Sequence, residues 1–159
     1  MRYLIDETNL GPEGSLAVYR LTVGWAAARG DRFVMLLERG VYDDPAELSR
    51  YTGLGKNLPT DDPRLVDLIR VEGELSTSVV RELTRTGAPA RAISGDVCPA
   101  LQVTILVCDR TLYGCYDYGR TQMLDITNDE LEDAKRTLVS GGLDPGVLTP
   151  APRYVTDRR

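Results

Sequence analysis

Histidine is absent from this sequence. Histidine is the commonest general base near neutral pH and the commonest protein ligand of transition metals. Its absence excludes Ser-His and Cys-His nucleophile pairs as well as histidine-based metal centres. Any catalysis by this chain must therefore use carboxylates, tyrosine, lysine, thiols, backbone amides or a bound hard cation.

Lysine and cysteine are also scarce. The only lysines are Lys56 and Lys135, and neither lies in a glycine-rich phosphate-binding loop. The cysteines, Cys98, Cys108 and Cys115, are odd in number and lack the spacing of metal ligands. This pattern predicts free thiols in a reducing compartment, where they act as small apolar side chains. We expect neither a metal nor a cofactor.

No apolar run approaches the roughly 20 residues that a membrane-spanning helix needs, and the N-terminus has no basic leader. The chain has 19 basic and 24 acidic residues, which give a net charge of -5. This balance disfavours a phosphate backbone as a partner. We therefore expect a cytoplasmic protein that binds neither membranes nor nucleic acids. Its 159 residues fit a single domain, residues 1–159, with a frayed tail at 156–159.

The first forty residues predict a strand, a helix and a second strand. Arg2 to Ile5 and Phe33 to Leu37 are apolar runs. Between them, apolar residues recur at helical spacing from Ser15, which fits an N-cap, to Gly30. This order is typical of a crossover between parallel strands. The sequence thus predicts an α/β fold, a three-layer sandwich with a mainly parallel central sheet and flanking helices.

The middle of the chain predicts a long helix that begins with a capped turn at 61–63 and ends at Gly87. Glu72 and Gly73 interrupt the apolar stripe of this helix. The helix therefore either breaks there or turns a polar centre towards a cleft. A short strand is predicted at 90–94.

The second half of the chain predicts antiparallel structure. Three β-rich runs at 101–108, 112–118 and 121–126 indicate a hairpin or meander. Residues 127–130 have the pattern of a capping box, which predicts a helix that ends at Gly141.

One family resemblance lies in the middle segment. Asp67 and apolar residues precede Gly73-Glu74, an amphipathic helix and Gly-Ala-Pro-Ala at 87–90. This order resembles the N-terminal, substrate-binding half of aspartokinases, members of the amino acid kinase family. The resemblance implies an amino acid kinase-like half domain, and it implies that Glu74 lies at an amino-acid substrate site.

Other parts of the aspartokinase pattern are missing. The family opens with Lys-Phe-Gly-Gly-Thr-Ser, whose lysine and glycines serve phosphoryl transfer. Here the first strand continues into Asp6-Glu7-Thr8-Asn9, without a lysine or a glycine pair. The chain also ends where the nucleotide-binding half would begin. We therefore expect no autonomous kinase activity, because the phosphates would lack a cation and a cradle.

Glu72, Gly73 and Glu74 are the predicted ligand-binding residues. A carboxylate near a helix break can accept hydrogen bonds from an ammonium group. The alternative is an exposed glutamate paired with Arg70 or Arg81, which contributes only tenths of a kcal/mol. Because Glu72 interrupts the apolar stripe, it must be paired or face a cleft, unless the stripe simply ends early.

Asp6, Glu7, Tyr116 and Tyr118 are the candidates for catalysis. The two carboxylates follow the first strand, where open α/β sheets place ligands, and there they could bind Mg²⁺ or a cationic group. A capped loop is the commoner explanation of such a pair. The two tyrosines share one face of a predicted strand. They can form an aromatic ligand wall, a dimer surface or the edge of the core.

These observations predict a stand-alone, aspartokinase-like half domain that binds a small amino acid or another carboxylate ligand. We expect it to act as a homodimer or with a partner subunit. Two alternatives stay open. An enzyme of specialised metabolism would reuse the same cleft, with the carboxylates or tyrosines as acid and base. An interaction or immunity protein would instead use the tyrosine-rich hairpin.

Overall fold

One antiparallel sheet of eight strands runs through the computed structural model, which describes residues 1–60, 67–85 and 97–152. The strands are β1 (Arg2–Ile5), β2 (Arg32–Glu38), β3 (Lys56–Leu58), β4 (Leu68–Glu74), β5 (Gln102–Val107), β6 (Arg110–Tyr116), β7 (Thr121–Asp125) and β8 (Leu148–Pro150). The helices are α1 (Pro12–Ala27), α2 (Pro45–Thr52), α3 (Thr77–Arg85) and α4 (Asn128–Ser140). The strand order is β3-β4-β2-β5-β6-β7-β1-β8.

This sheet contradicts the mainly parallel three-layer sandwich that the sequence predicts. Every neighbouring pair of strands is antiparallel. The strands β1 and β2 do run in the same direction, but β5, β6 and β7 lie between them. The strand-helix-strand pattern is therefore present, while the parallel pairing inferred from it is wrong.

The described helices form one layer against one face of the sheet. Inward side chains of β2, such as Phe33 and Met35, are fully buried, whereas the alternating outward residues are half-exposed. This period-two burial is expected when only one face is covered. Residues from all four helices join the same core, including Tyr19, Tyr51 and Leu83. We call the opposite face, which no described helix covers, the open face.

The predicted long helix is wrong over residues 68–74, which form β4 between β3 and β2. Ile69 and Val71 face the core, while Arg70 and Glu72 face outwards. Alternating burial and β-branched side chains suit a strand, and pairing with β2 supplies the backbone hydrogen bonds. The cap predicted at 61–63, the helix end at Gly87 and the strand at 90–94 lie outside the described residues.

Several local predictions are confirmed. The strands Arg2–Ile5 and Arg32–Glu38 and the meander of β5, β6 and β7 are present. The capping box is formed, because the Thr127 backbone N–H donates to Glu130 Oε2 at 2.7 Å and the Glu130 N–H donates to Thr127 Oγ1. The first helix begins at Pro12 rather than at Ser15. None of the described helices has the length and apolar composition that a membrane-spanning helix requires.

Candidate functional site

A charged groove lies at one corner of the sheet, where β2, β3 and β4 meet. Its volume is about 590 Å³. Its lining consists of Asp31, Arg32, Lys56, Glu72, Gly73, Glu74 and Leu75. All three predicted ligand-binding residues therefore line one groove. The groove arises from the strand β4, however, and not from a break in a helix.

Two cross-strand pairs place opposite charges side by side. Lys56 on β3 is opposite Glu72 on β4, and Glu74 on β4 is opposite Arg32 on β2. Residues two apart in a strand share a face, so Glu72 and Glu74 both lie on the open face. Positive and negative side chains thus alternate across the corner, and this pattern complements a ligand that carries both charges.

The side chains of these four charged residues differ in the hydrogen bonds and ion pairs that they already form. Arg70 Nη2 donates to Glu72 Oε2 at 2.9 Å, and Arg32 Nη1 donates to Asp109 Oδ1 at 2.9 Å. Within the described part of the chain, the side chains of Lys56 and Glu74 form neither a hydrogen bond nor an ion pair. These two exposed groups are the ones a ligand can engage without breaking an existing contact.

Gly73 shapes the groove by having no side chain, and it offers no polar side-chain group to a ligand. A Cβ at this position would lie 3.3 Å from Phe33 Cε1 and 3.5 Å from Gly55 Cα. A Cβ on Gly55 would lie only 2.4 Å from the Glu72 carbonyl oxygen. The two glycines therefore let the backbones of the β3 and β4 segments approach closely, which keeps the groove floor low.

Asp6 and Glu7 follow β1 but face different surroundings. Asp6 is exposed and accepts hydrogen bonds from the Thr8 hydroxyl at 2.5 Å and the Thr8 N–H at 3.0 Å, which lower its pKa. Glu7 is half-buried, and burial raises its pKa. Gln122 Nε2 donates to Glu7 Oε1 at 2.5 Å, and the buried Tyr113 hydroxyl donates to Gln122 Oε1 at 2.8 Å.

Tyr116 and Tyr118 do not share a strand face. Tyr116 ends β6 on the open face, and its ring lies over Gly114, where an added Cβ would be 2.7 Å from the Tyr116 hydroxyl oxygen. Tyr118 lies in the next turn with a φ of 56° and is buried. Its hydroxyl donates to Glu38 Oε2 at 2.9 Å. The left-handed backbone at Asp117 and Tyr118 ends the strand alternation, so the prediction that the two tyrosines share one strand face is wrong.

The catalytic candidates thus lie in separate environments. Asp6 lines a small groove of about 290 Å³ together with Asp144, whereas Glu7 bonds to β7 and Tyr118 to the end of β2. Among residues 1–60, 67–85 and 97–152, no group of three or more Cys, Asp or Glu is arranged to hold a metal ion. This arrangement gives no acid–base pair around a common substrate position.

A second groove, of about 600 Å³, lies between α1 and α3. Its lining is Gly24, Ala27, Ala28, Leu75, Ser76, Thr77, Val80, Arg81 and Thr84. Arg81 is its charged lining residue, and it already contacts Glu82 at 3.6 Å. With one charge and mostly small side chains, this groove offers less basis for selective recognition than the charged groove.

Sequence reasoning found the glutamates of the charged groove but missed Lys56 and Arg32. The scarcity of lysine was the available signal for Lys56, while the position of Arg32 depends on which strands pair. The assembled corner places Lys56 and Glu74, which carry opposite charges, at one groove. Comparisons of the chain with protein-family models, with curated protein sequences and with solved structures found no match.

Proposed function

We propose that this protein binds a small amino acid, or a similar molecule with an ammonium and a carboxylate group, in the charged groove. The supporting observation is the pair Lys56 and Glu74, which carry opposite charges at one groove and have no partner among the described residues. Lys56 would bind the carboxylate. Glu74, with Glu72 beside it, would bind the ammonium through charge-assisted hydrogen bonds.

The groove favours weak binding that requires both charges of the ligand. Lys56 and Glu74 are exposed, so each ion pair contributes only about 0.2–1 kcal/mol. Two such pairs together contribute at most about 2 kcal/mol, so we expect a dissociation constant of roughly 30 mM or weaker. An amine or a carboxylic acid alone matches one half of the groove, so it should bind more weakly than a zwitterion.

The test is a calorimetric and NMR titration with the common amino acids, with methylamine and acetate as one-charge controls. Glu74→Gln and Lys56→Met remove one charge each while keeping much of the side-chain volume. Each substitution should weaken binding about fivefold, the equivalent of ~1 kcal/mol. The result is read from chemical shifts at the ends of β2 and β4.

Glu132→Gln and Lys135→Met are matched control variants. These two residues form an exposed ion pair on α4, at 2.9 Å, and neither lines the charged groove. They should leave binding unchanged. The proposal would be ruled out by the failure of every amino acid to bind at ~300 mM, or by binding to the Glu74 and Lys56 variants as strong as binding to the wild type.

The relation to aspartokinases stays a prediction. The ligand class that the resemblance implies at Glu74 agrees with the proposed one, although the antiparallel sheet differs from the parallel sheet it implies. A cytoplasmic location is likewise a proposal. It is supported by Cys98, Cys108 and Cys115, which are all free thiols.

A further inference from the structure

The open face has charged flanks, and half-exposed apolar side chains lie on either side of the central residues Thr104 and Gly114. Across the sheet, the strand register aligns one continuous row of outward residues: Lys56, Glu72, Val34, Thr104, Gly114, Met123 and Leu4. A second row, two residues along each strand, contains Glu74, Arg32, Leu106, Asp125 and Arg2. The apolar members are half-exposed, and each row ends in polar side chains on at least one side.

When a second copy of the chain is placed face to face by a two-fold axis, the charges in the second row of one copy meet opposite charges in the other. We consider an axis that runs parallel to the strands, midway between β5 and β6, in front of the open face. In the strand order β3-β4-β2-β5-β6-β7-β1-β8, this axis lays β4 over the partner's β1, β2 over its β7, and β5 over its β6. The strands of the two sheets remain nearly aligned, as in β-sandwiches.

The same operation brings opposite charges together. Because it preserves the row, Glu74 comes over the partner's Arg2, and Arg32 comes over the partner's Asp125. Arg2 and Asp125 form an ion pair within one subunit, at 3.6 Å, so the operation joins this pair to the cross-strand neighbours Glu74 and Arg32 of the other subunit. Symmetry repeats both contacts, since a two-fold interface is isologous. In the central row, Val34 comes over the partner's Met123, an apolar contact, whereas Glu72 comes over the partner's Leu4. A face of random composition would bring some like charges together, and these two rows bring none.

The size of the face suits a reversible dimer. With strands ~4.8 Å apart and ~3.3 Å per residue, the open face measures about 34 by 18 Å, or roughly 600 Å². Two copies would bury roughly 1,200 Å², the lower end of the range of specific interfaces. Edge-to-edge pairing is disfavoured, because both edge strands have three residues, Pro59 follows β3 and Pro150 lies in β8.

We propose that two copies of this chain associate through their open faces about this axis. Arg2 of the partner subunit then approaches Glu74 and forms one wall of the charged groove. The association and the proposed amino acid binding both involve Glu74, but the association is measured without any ligand. Only the contribution of the partner's Arg2 to a ligand site rests on that proposed function.

Sedimentation velocity from ~1 to ~500 µM, a range suited to weak interfaces, tests the association. We expect a concentration-dependent dimer that weakens with added salt, because the flanking charges are screened. Glu74→Arg and Arg2→Glu should each weaken the dimer about tenfold, since each brings like charges together. The double variant Glu74→Arg with Arg2→Glu should restore it. Met123→Arg, which replaces an apolar contact beside the axis with a charge, should abolish it.

Glu132→Arg on α4 is the matched charge-reversal control, and it should leave the dimer unchanged. Circular dichroism of every variant separates loss of association from loss of folding. A monomer at all concentrations would overturn the proposal, as would single reversals without rescue by the double variant. A dimer that binds no amino acid would refute only the proposed function, whereas a monomer that binds one would refute only the association.

Discussion

The carboxyl groups of Asp6 and Glu7, adjacent in the chain, have pKa values that are shifted in opposite directions. Hydrogen bonds from Thr8 lower the pKa of Asp6. Burial raises the pKa of Glu7, although hydrogen bonds with Ser15 and Gln122 act against this effect. Folding therefore favours the charged form of Asp6 and disfavours the charged form of Glu7.

We expect Glu7→Gln to gain stability relative to the wild type as the pH rises above 4.5, the ordinary pKa of glutamate. In that window the unfolded chain has lost the Glu7 proton, while the folded protein still holds it. The wild-type free energy of unfolding therefore falls as the pH rises through the window to the folded pKa. Glutamine has no proton to lose. Urea denaturation of both proteins from pH ~4 to ~7.5 measures the difference.

Asp6→Asn is the control of opposite sign. The folded pKa of Asp6 lies below its ordinary value of 3.8, so its contribution is present above that value and is lost as the pH falls through the folded pKa. Asp6→Asn should thus be less stable than the wild type at neutral pH, and the difference should shrink in acid. A Glu7→Gln difference that does not change with pH would show that folding leaves the Glu7 pKa unshifted.

Gly119, in the turn before β7, is constrained both by its backbone angle and by the atoms around it. Its φ is +105°, and an added Cβ would lie 2.4 Å from Val97 Cγ2 and 3.2 Å from the Cys98 amide nitrogen. We expect Gly119→Ala to lower the free energy of unfolding by about 2–5 kcal/mol, from backbone strain and overpacking together. Urea denaturation followed by circular dichroism measures the loss.

The substitution Gly142→Ala separates the effect of backbone strain from the effect of overpacking. Gly142 also has a positive φ, +78°, but an added Cβ would have no atom within 4 Å. Only the backbone strain remains, so the loss should be about 1–2 kcal/mol. Equal losses at the two glycines would show that Val97 moves aside at little energetic cost.

Patterns among neighbouring residues were enough to predict several elements of the fold. The apolar run at Arg32–Glu38, the turns of the β5–β7 meander and the capping box at Thr127 each depend on neighbouring residues. The segment 68–74 was ambiguous, because its apolar residues fit both a helical stripe and a strand. Its pairing with β2, about thirty-five positions earlier in the chain, decides the outcome, and propensity alone does not show that pairing.

The sheet order and the groove depend on the same long-range pairing. Nothing in the local pattern indicates that β5, β6 and β7 lie between β1 and β2. The polar interruption at Glu72–Glu74 correctly marked a groove, but for the wrong reason, since outward positions of an exposed strand are polar by alternation. Lys56 and Arg32 join these glutamates only once β3 and β2 are known to flank β4.

Trp25, the only tryptophan of the chain, reports on the junction of α1 with α4. Its indole N–H donates to Asp133 Oδ2 at 3.0 Å, and the Arg29 guanidinium lies 4.5 Å from the ring centroid. Arg29 also forms an ion pair with Asp133. The Trp25 hydrogen bond is the largest cause of the lowered pKa of Asp133. Because Trp25 is only 4% exposed, its emission should shift to longer wavelength on unfolding.

We expect Asp133→Ala to destabilise the protein, because the indole N–H of Trp25 loses its acceptor. Asp133→Asn keeps an acceptor oxygen and should lose about half as much. Arg136→Ala removes only an exposed partner of Asp133, at 2.9 Å, so its effect should stay within about 0.5 kcal/mol. Urea denaturation followed by Trp25 emission measures all three. If asparagine were as damaging as alanine, the charge of Asp133, through Arg29, would stabilise this junction more than the indole hydrogen bond does.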